Sequence, residues 1–288
     1  MKRNAFTLIE LLVVVATILL LMSLTAVAVS SARSSQRRNQ TRVTISKINE
    51  VLSSQWRTYP SQSGSPAFIR RNRITADLPP NWKDVHYMAT TNSSFPSTRA
   101  QRTYVSVWRN ERNDAIANGL PDGRSVVDED DYLAKCSETF GDDECLFLAV
   151  MYGGFAGCLD CAGLRVNKDF KDTDGDGWNE FVDAWGNPLS FILWPAGLQK
   201  PDGNNFFNAT SSGDTLTFGM RPFVFSAGPD GKYGIEMGGT TSSPGIENLS
   251  LDGNCGNPNY SLYTTIGSPS SASDAADNLT NFDAEFRR

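Results

Sequence analysis

Residues 6–29, Phe6-Thr-Leu-Ile-Glu10-Leu-Leu-Val-Val-Val-Ala-Thr-Ile-Leu-Leu-Leu-Met-Ser-Leu-Thr-Ala-Val-Ala-Val29, decide how this chain is read. From Leu11 to Val29 there is no charge and no proline; Thr17, Ser23 and Thr25 are the weakly polar positions. These nineteen residues, at 1.5 Å each, give about 29 Å of helix, the hydrocarbon thickness of a bilayer. Glu10 stands at the edge of the span. An ionised side chain deep in a membrane helix costs about 2.5–3.5 kcal/mol, and less near an interface. A carboxylate kept there is expected to have a partner and a role.

Outward from the run, the pattern changes from uniformly apolar to amphipathic. Ile45, Ile48, Leu52 and Trp56 recur at three- and four-residue spacing, with Val51, Gln55 and Tyr59 beside them, while Lys47, Asn49, Ser53 and Arg57 take the other face. Pro60 ends the helix. A single helix from Phe6 to Tyr59 is about 80 Å long, too long for a compact domain. Its first half suits a membrane, and its second half is amphipathic. Two other readings fit the hydropathy. A secretory signal peptide would share Lys2, Arg3 and the small residues Ala26-Val27-Ala28, but its apolar region is normally shorter and carries no carboxylate. A plain membrane anchor is the other. Cations flank the span on both sides, Lys2 and Arg3 before it and Arg33, Arg37, Arg38 and Arg42 after it, so the charges do not fix orientation.

The segment Ala5-Phe6-Thr7-Leu8-Ile9-Glu10-Leu11-Leu12 resembles the prepilin motif of type IV pilins and type II secretion pseudopilins. The resemblance implies that a prepilin peptidase cuts between Ala5 and Phe6 and methylates the new amino end. Glu10 is then the matching assembly carboxylate; where the family usually has glycine before the cut, this chain has Ala5. Methylation keeps the amine cationic. A neighbouring subunit's amine can therefore neutralise Glu10 as helices stack, making a buried charge a pairing device. A glutamate in a first turn also complements the helix dipole.

Charge is unevenly distributed. Residues 1–112 carry a balance of +11 and residues 113–288 a balance of −17. Acidic blocks such as Asp128-Glu129-Asp130-Asp131 and Asp142-Asp143-Glu144 make the distal part unsuited to nucleic acid and compatible with hard cations, though most such charges form a solvated face. The five cysteines are Cys136, Cys145, Cys158, Cys161 and Cys255. In an exported domain they face an oxidising compartment, and Cys136 with Cys145 and Cys158 with Cys161 is the simplest disulfide pairing by proximity. A redox C-x-x-C at 158–161 or a four-cysteine zinc site fits less well. The first lacks a surrounding βαβ pattern, and the second lacks the knuckle spacing.

Residues 61–102 are rich in Ser, Pro, Asn and Arg and read as an irregular insertion. Thr103–Trp108 alternates like a strand and equally suits the start of a helix. Glu144–Tyr152 reads as a short buried helix ended by Gly153-Gly154, and Leu189–Trp194 and Leu216–Phe225 as strands, with Pro222 demoting the middle of the second to an edge or break. Asp172-Thr-Asp174-Gly-Asp176-Gly177-Trp178-Asn-Glu180-Phe-Val-Asp183 fits a twelve-residue calcium loop. Carboxylates fall at loop positions 1, 3, 5, 9 and 12, glycine at 6, and the Trp178 carbonyl at 7. The alternative is a polar Asp/Gly turn. No clear helix flanks the loop, and position 12 is Asp rather than Glu.

Three further segments resemble major pseudopilins of type II secretion: Asp183-Ala184-Trp185-Gly186-Asn187-Pro188-Leu189, Phe225–Gly234 with its Ser226-Ala-Gly228-Pro-Asp230-Gly231 core, and Asp277-Asn278-Leu279. In the family the last two come together around a structural Ca²⁺. The resemblance nominates Asp230 and Asp277, with backbone oxygens such as that of Ser226. Asn278 stands where the family has a second Asp, and an insertion containing Asp252 and Cys255 separates the segments.

No catalytic constellation is visible. His86 is the sole histidine and has no nearby nucleophile motif, and the paired carboxylates have calcium-loop rather than acid/base spacing. The expected fold is therefore α+β and pilin-like: a long N-terminal helix packed on a small antiparallel sheet with calcium-ordered loops. The expected layout is a leader at 1–5, a membrane and filament-core helix at 6–30, its amphipathic continuation at 31–59, an irregular insertion with short helices at 60–170, and a β region with calcium loops at 171–288. The expected function is a non-enzymatic subunit of a type IV-like filament, closest to a type II secretion pseudopilin. It would sit in the inner membrane with its amino end in the cytoplasm and have other pilin-like subunits and the prepilin peptidase as partners. The rival is a membrane-anchored or secreted calcium-dependent binding domain with no filament role.

Overall fold

A computed structural model describes residues 8–57, 73–90, 98–138, 140–153, 164, 168–193, 195, 198, 221–235, 267–271 and 273–283. Helix α1 spans Leu8–Trp56, 49 residues or about 74 Å. Its apolar first part is exposed: Leu8, Ile9, Leu11, Leu12, Leu19–Met22 and Val27 all face outward. The last four turns bury Thr41, Thr44, Ile45, Ile48, Val51, Leu52, Gln55 and Trp56, the stripe expected from the spacing. Among the described residues this is the one helix long and apolar enough to cross a membrane, and none of its apolar window is covered by the rest of the chain.

Four shorter helices follow: α2 (Trp82–Thr90), α3 (Arg99–Asn118), α4 (Glu129–Cys136) and α5 (Gly141–Tyr152), preceded by a helical turn at residues 73–77. Two small antiparallel sheets complete an α+β chain. Strands β1 (Phe170–Lys171) and β2 (Glu180–Phe181) pair as one hairpin, and β3 (Leu189–Ile192), β4 (Phe223–Ser226) and β5 (Leu279–Thr280) form a three-stranded sheet in that order. Leu189 stands opposite Ser226 and Ile192 opposite Phe223. Every residue of β3 and β4 is buried. Strand β4 starts directly after Pro222, whose carbonyl accepts the Asn281 side-chain amide at 2.9 Å, so the proline lies outside the ladder it would have interrupted.

The core has two parts. One joins the lower half of α1 and α5 to both sheets, with Ile48, Leu52, Leu146, Phe181, Phe191, Phe223 and Phe225 at its centre. Polar ties fix α1 on the β region: Thr41 Oγ1 accepts the Ala184 N–H at 3.0 Å, Thr44 donates to Asp169 at 3.2 Å, and Asn281 donates to Asn49 at 2.9 Å. The other part is a helical layer built on Trp82, Tyr104, Trp108, Tyr132, Leu148 and Trp178.

That layer corrects the irregular reading at residues 73–90 and 98–102 and selects the helix of the two readings of Thr103–Trp108, while residues 61–72 and 91–97 lie outside the described residues. Thr98 and Gln101 form a capping box: each side chain accepts the other residue's backbone N–H. Gln101, Tyr104, Val105 and Trp108 then bury one helical face. The Asp128–Asp131 block is likewise a helix start. Asp128 caps α4 through the Asp131 N–H at 2.9 Å, and the acidic first turn complements the helix dipole. The proposed Cys136–Cys145 disulfide is also corrected. Both residues are free thiols, fully buried in the helical layer, where they pack as small apolar side chains and burial pushes their pKa up. Cys158, Cys161 and Cys255 lie outside the described residues, as do Ala5 and Phe6.

Candidate metal centre

The loop between β1 and β2 is shaped by its own carboxylates. Asp172 accepts the Gly175 N–H at 2.6 Å through one oxygen and the Gly177 N–H at 3.1 Å through the other. Asp176 Oδ1 accepts the Trp178 N–H at 2.8 Å, and Glu180 Oε2 accepts the Thr173 N–H at 2.9 Å. These Asx-type bonds fold the segment into a tight turn that gathers alternate carboxylates. Gly177, at loop position 6, has φ +107°, a backbone conformation that disfavours any side chain, and a Cβ there would meet Pro121 Cγ at 3.3 Å. The turn is thus pressed against the loop that follows α3.

Two acidic groups result, each with ligand oxygens within 4.8 Å of one another and each able to hold a metal ion. Asp172, Asp174 and Glu180 form one; Glu144, Asp174 and Asp176 form the other. Glu144 comes from α5 and was not among the expected ligands. Its sequence signal was modest: it opens the apolar run to Tyr152 and shares a helix face with Leu148, both fully buried. The Trp82 indole donates to Glu144 Oε2. Among the described residues, Glu144 Oε1, Asp176 Oδ2 and Glu180 Oε1 are buried and have no hydrogen-bond partner.

Electrostatics reflects that arrangement. Burial, followed by the neighbouring carboxylates, pushes Asp176 and Glu180 up to about 7 and Glu144 up to about 11; Asp174 is raised in the same way. Arg124 opposes the rise at Asp174 and Asp176. At Glu144, Asp174, Asp176 and Glu180 burial thus disfavours the charged form.

Other expected ligands lie elsewhere. Asp183, loop position 12, does not join either group. One oxygen accepts the Trp185 and Asn187 N–H groups at 2.8 and 2.9 Å, and the other accepts Ser226 Oγ at 2.7 Å and the Asn187 side-chain amide at 3.3 Å. The chain enters β2 at Glu180 and is carried away from the turn, so Asp183 braces the 183–187 corner against β4 instead. The Trp178 side chain is a packing residue: its indole donates to Tyr132 Oη at 3.0 Å and its ring centroid lies 4.3 Å from that of Trp82.

The segments around Asp230 and Asp277 do meet. A Cβ on Gly228, whose φ is +71°, would touch the Asp277 carbonyl at 2.9 Å and its carboxylate at 3.1 Å, and Asn278 donates to the Tyr233 carbonyl. Asp277 Oδ1 is buried with no partner among the described residues. Asp230 accepts the Lys232 N–H at 2.9 Å on an exposed turn, and Ser226 Oγ is engaged by Asp183 and the Gly228 N–H. His86 lies 3.4 Å from Glu129, which also pairs with Arg112 at 2.7 Å, a surface ion cluster without a nucleophile.

No family model, curated protein or solved structure matches this chain.

Proposed function

We propose that this chain is a structural subunit of a type IV-like filament, closest to a pseudopilin of type II secretion. The observation that carries the reading is α1 itself. One continuous helix leaves an apolar half uncovered, with Glu10 in its first turn, and packs its other half onto an antiparallel sheet. An uncovered apolar helix of this length needs either lipid or other helices around it. A filament supplies both in turn: the subunit waits in the inner membrane, amino end in the cytoplasm, and then exchanges lipid for a helical bundle. In this reading a prepilin peptidase cuts between Ala5 and Phe6, and the methylated Phe6 amine of one subunit pairs with Glu10 of its neighbour. The distal region remains outside the cytoplasm. Calcium, through Asp172, Asp174, Asp176, Glu180 and the Trp178 carbonyl, orders the loop between β1 and β2. A second calcium position at Asp230 and Asp277 accounts for the buried Asp277 oxygen.

Mass spectrometry of the mature amino terminus tests this. The expected product begins with N-methyl-Phe6. A start after Ala28 or Ala32 would instead assign the removed segment to signal peptidase, and an intact Met1 would leave a plain anchor; either result rejects the filament subunit.

A further inference from the structure

Five carboxylates converge on the turn between β1 and β2, but only four belong to it. The fifth, Glu144, projects from α5 and is fully buried. One of its oxygens is held by the Trp82 indole, while Oε1 has no partner among the described residues. Asp176 Oδ2 and Glu180 Oε1 are buried in the same condition. A solvated acidic turn would turn such oxygens to water. Three carboxylate oxygens withdrawn from water without a donor are costly unless something cationic meets them. The two acidic groups share Asp174 and differ in their other members, so each of them could hold an ion. A single divalent ion would balance two of the five carboxylates; two ions balance four.

We propose that Glu144, Asp174 and Asp176 bind a second divalent cation of the calcium class, adjacent to the ion of the Asp172–Glu180 turn and bridged to it by Asp174. The proposal rests on the calcium reading of that turn. The ligand set is all oxygen, which selects hard cations such as Ca²⁺ over zinc or copper. Its consequence is mechanical. The second ion ties α5 and the Trp82 layer to the β hairpin, so cation binding joins the helical layer to the sheet region. Trp82, bonded to Glu144 and packed on Trp178, is a reporter inside the site.

The test is calcium titration calorimetry on the detergent-solubilised full chain after chelation, with tryptophan-sensitised terbium emission as a second readout. Glu144→Gln keeps the side-chain size and an oxygen for the Trp82 indole. It is expected to bind one calcium fewer than wild type and to lose part of the sensitised emission, the remainder coming from the turn's own ion beside Trp178. Asp172→Asn is expected to lose the neighbouring ion, and the double variant to lose both. Glu144→Ala, which removes the one ligand that does not belong to the turn, should lose the same ion, and it stands in should Glu144→Gln misfold by circular dichroism. Unchanged stoichiometry in Glu144→Gln alongside a loss in Asp172→Asn would overturn the second centre and leave the turn's own ion intact. Loss of a single ion in the double variant would mean one shared ion and would also overturn it. No change in any variant would reject both.

Discussion

Asp176 and Glu180 show how burial sets the cation dependence of this chain. Each is pushed up to about 7, against an unfolded value near 4, because burial and neighbouring carboxylates disfavour the charged form. A carboxyl whose folded pKa is raised contributes stability below its unfolded pKa and loses it as pH rises through the folded one. In EDTA, the melting temperature is therefore expected to fall between pH 5 and pH 8. Saturating calcium should reverse the trend, because an ion requires the same carboxyls ionised, and its stabilisation grows with pH. Thermal unfolding with and without EDTA across that range checks it; a flat profile in EDTA would show that these carboxyls are solvated rather than buried.

Among the elements, α3 shows why pattern reading of a short segment is ambiguous. Thr103–Trp108 is rich in β-branched and aromatic residues, a composition that suits a strand as well as the start of a helix. What decides the outcome lies upstream, in the Thr98-x-x-Gln101 box, which satisfies orphan N–H groups at the helix start. Asp77 adds a tertiary contribution by accepting from both Thr98 Oγ1 and Gln101 Nε2, at 2.9 and 2.7 Å. Thr98→Ala should destabilise the chain by about 1 kcal/mol, within the usual range for a lost cap. Urea unfolding followed by tryptophan emission would show it, since α3 carries Trp108. No shift would mean that packing alone starts the helix. The helical layer was not legible in the residues, because Ser- and Arg-rich composition around it resembles loop.

At the scale of the molecule, α1 divides into a half that finishes a core and a half that has none. Residues Thr41 to Trp56 supply one wall of the principal core, whereas the membrane-length apolar window of α1 is not buried against the described residues. The filament reading assigns the second half to neighbouring subunits and Glu10 to their amino ends. Glu10→Ala is then expected to insert normally and to assemble poorly, because an alanine costs nothing in lipid but offers no charge to a neighbour's amine. Membrane fractionation and electron microscopy of filaments measure the two effects separately. Wild-type filament yield from that variant would sink the pairing role.

What the sequence determined by itself is local in origin. Hydropathy and three-to-four spacing define α1 and its two halves, and alternate aspartates with a glycine at position 6 define the turn at 172–177. Contiguous β-branched and aromatic residues define β3 and β4. Each depends on neighbours along the chain. The tertiary structure alone decided what depends on distant segments meeting. It brought Glu144 from α5 to the turn and drew Asp183 away to brace Asn187 and Ser226. It also left Cys136 and Cys145 as thiols inside a tryptophan-rich layer and set Asp277 against Gly228. A ligand spacing states which side chains a turn can gather. Only packing states which of them it keeps, and which outside residue completes the set, because the strand that begins at Glu180 carries Asp183 out of the turn.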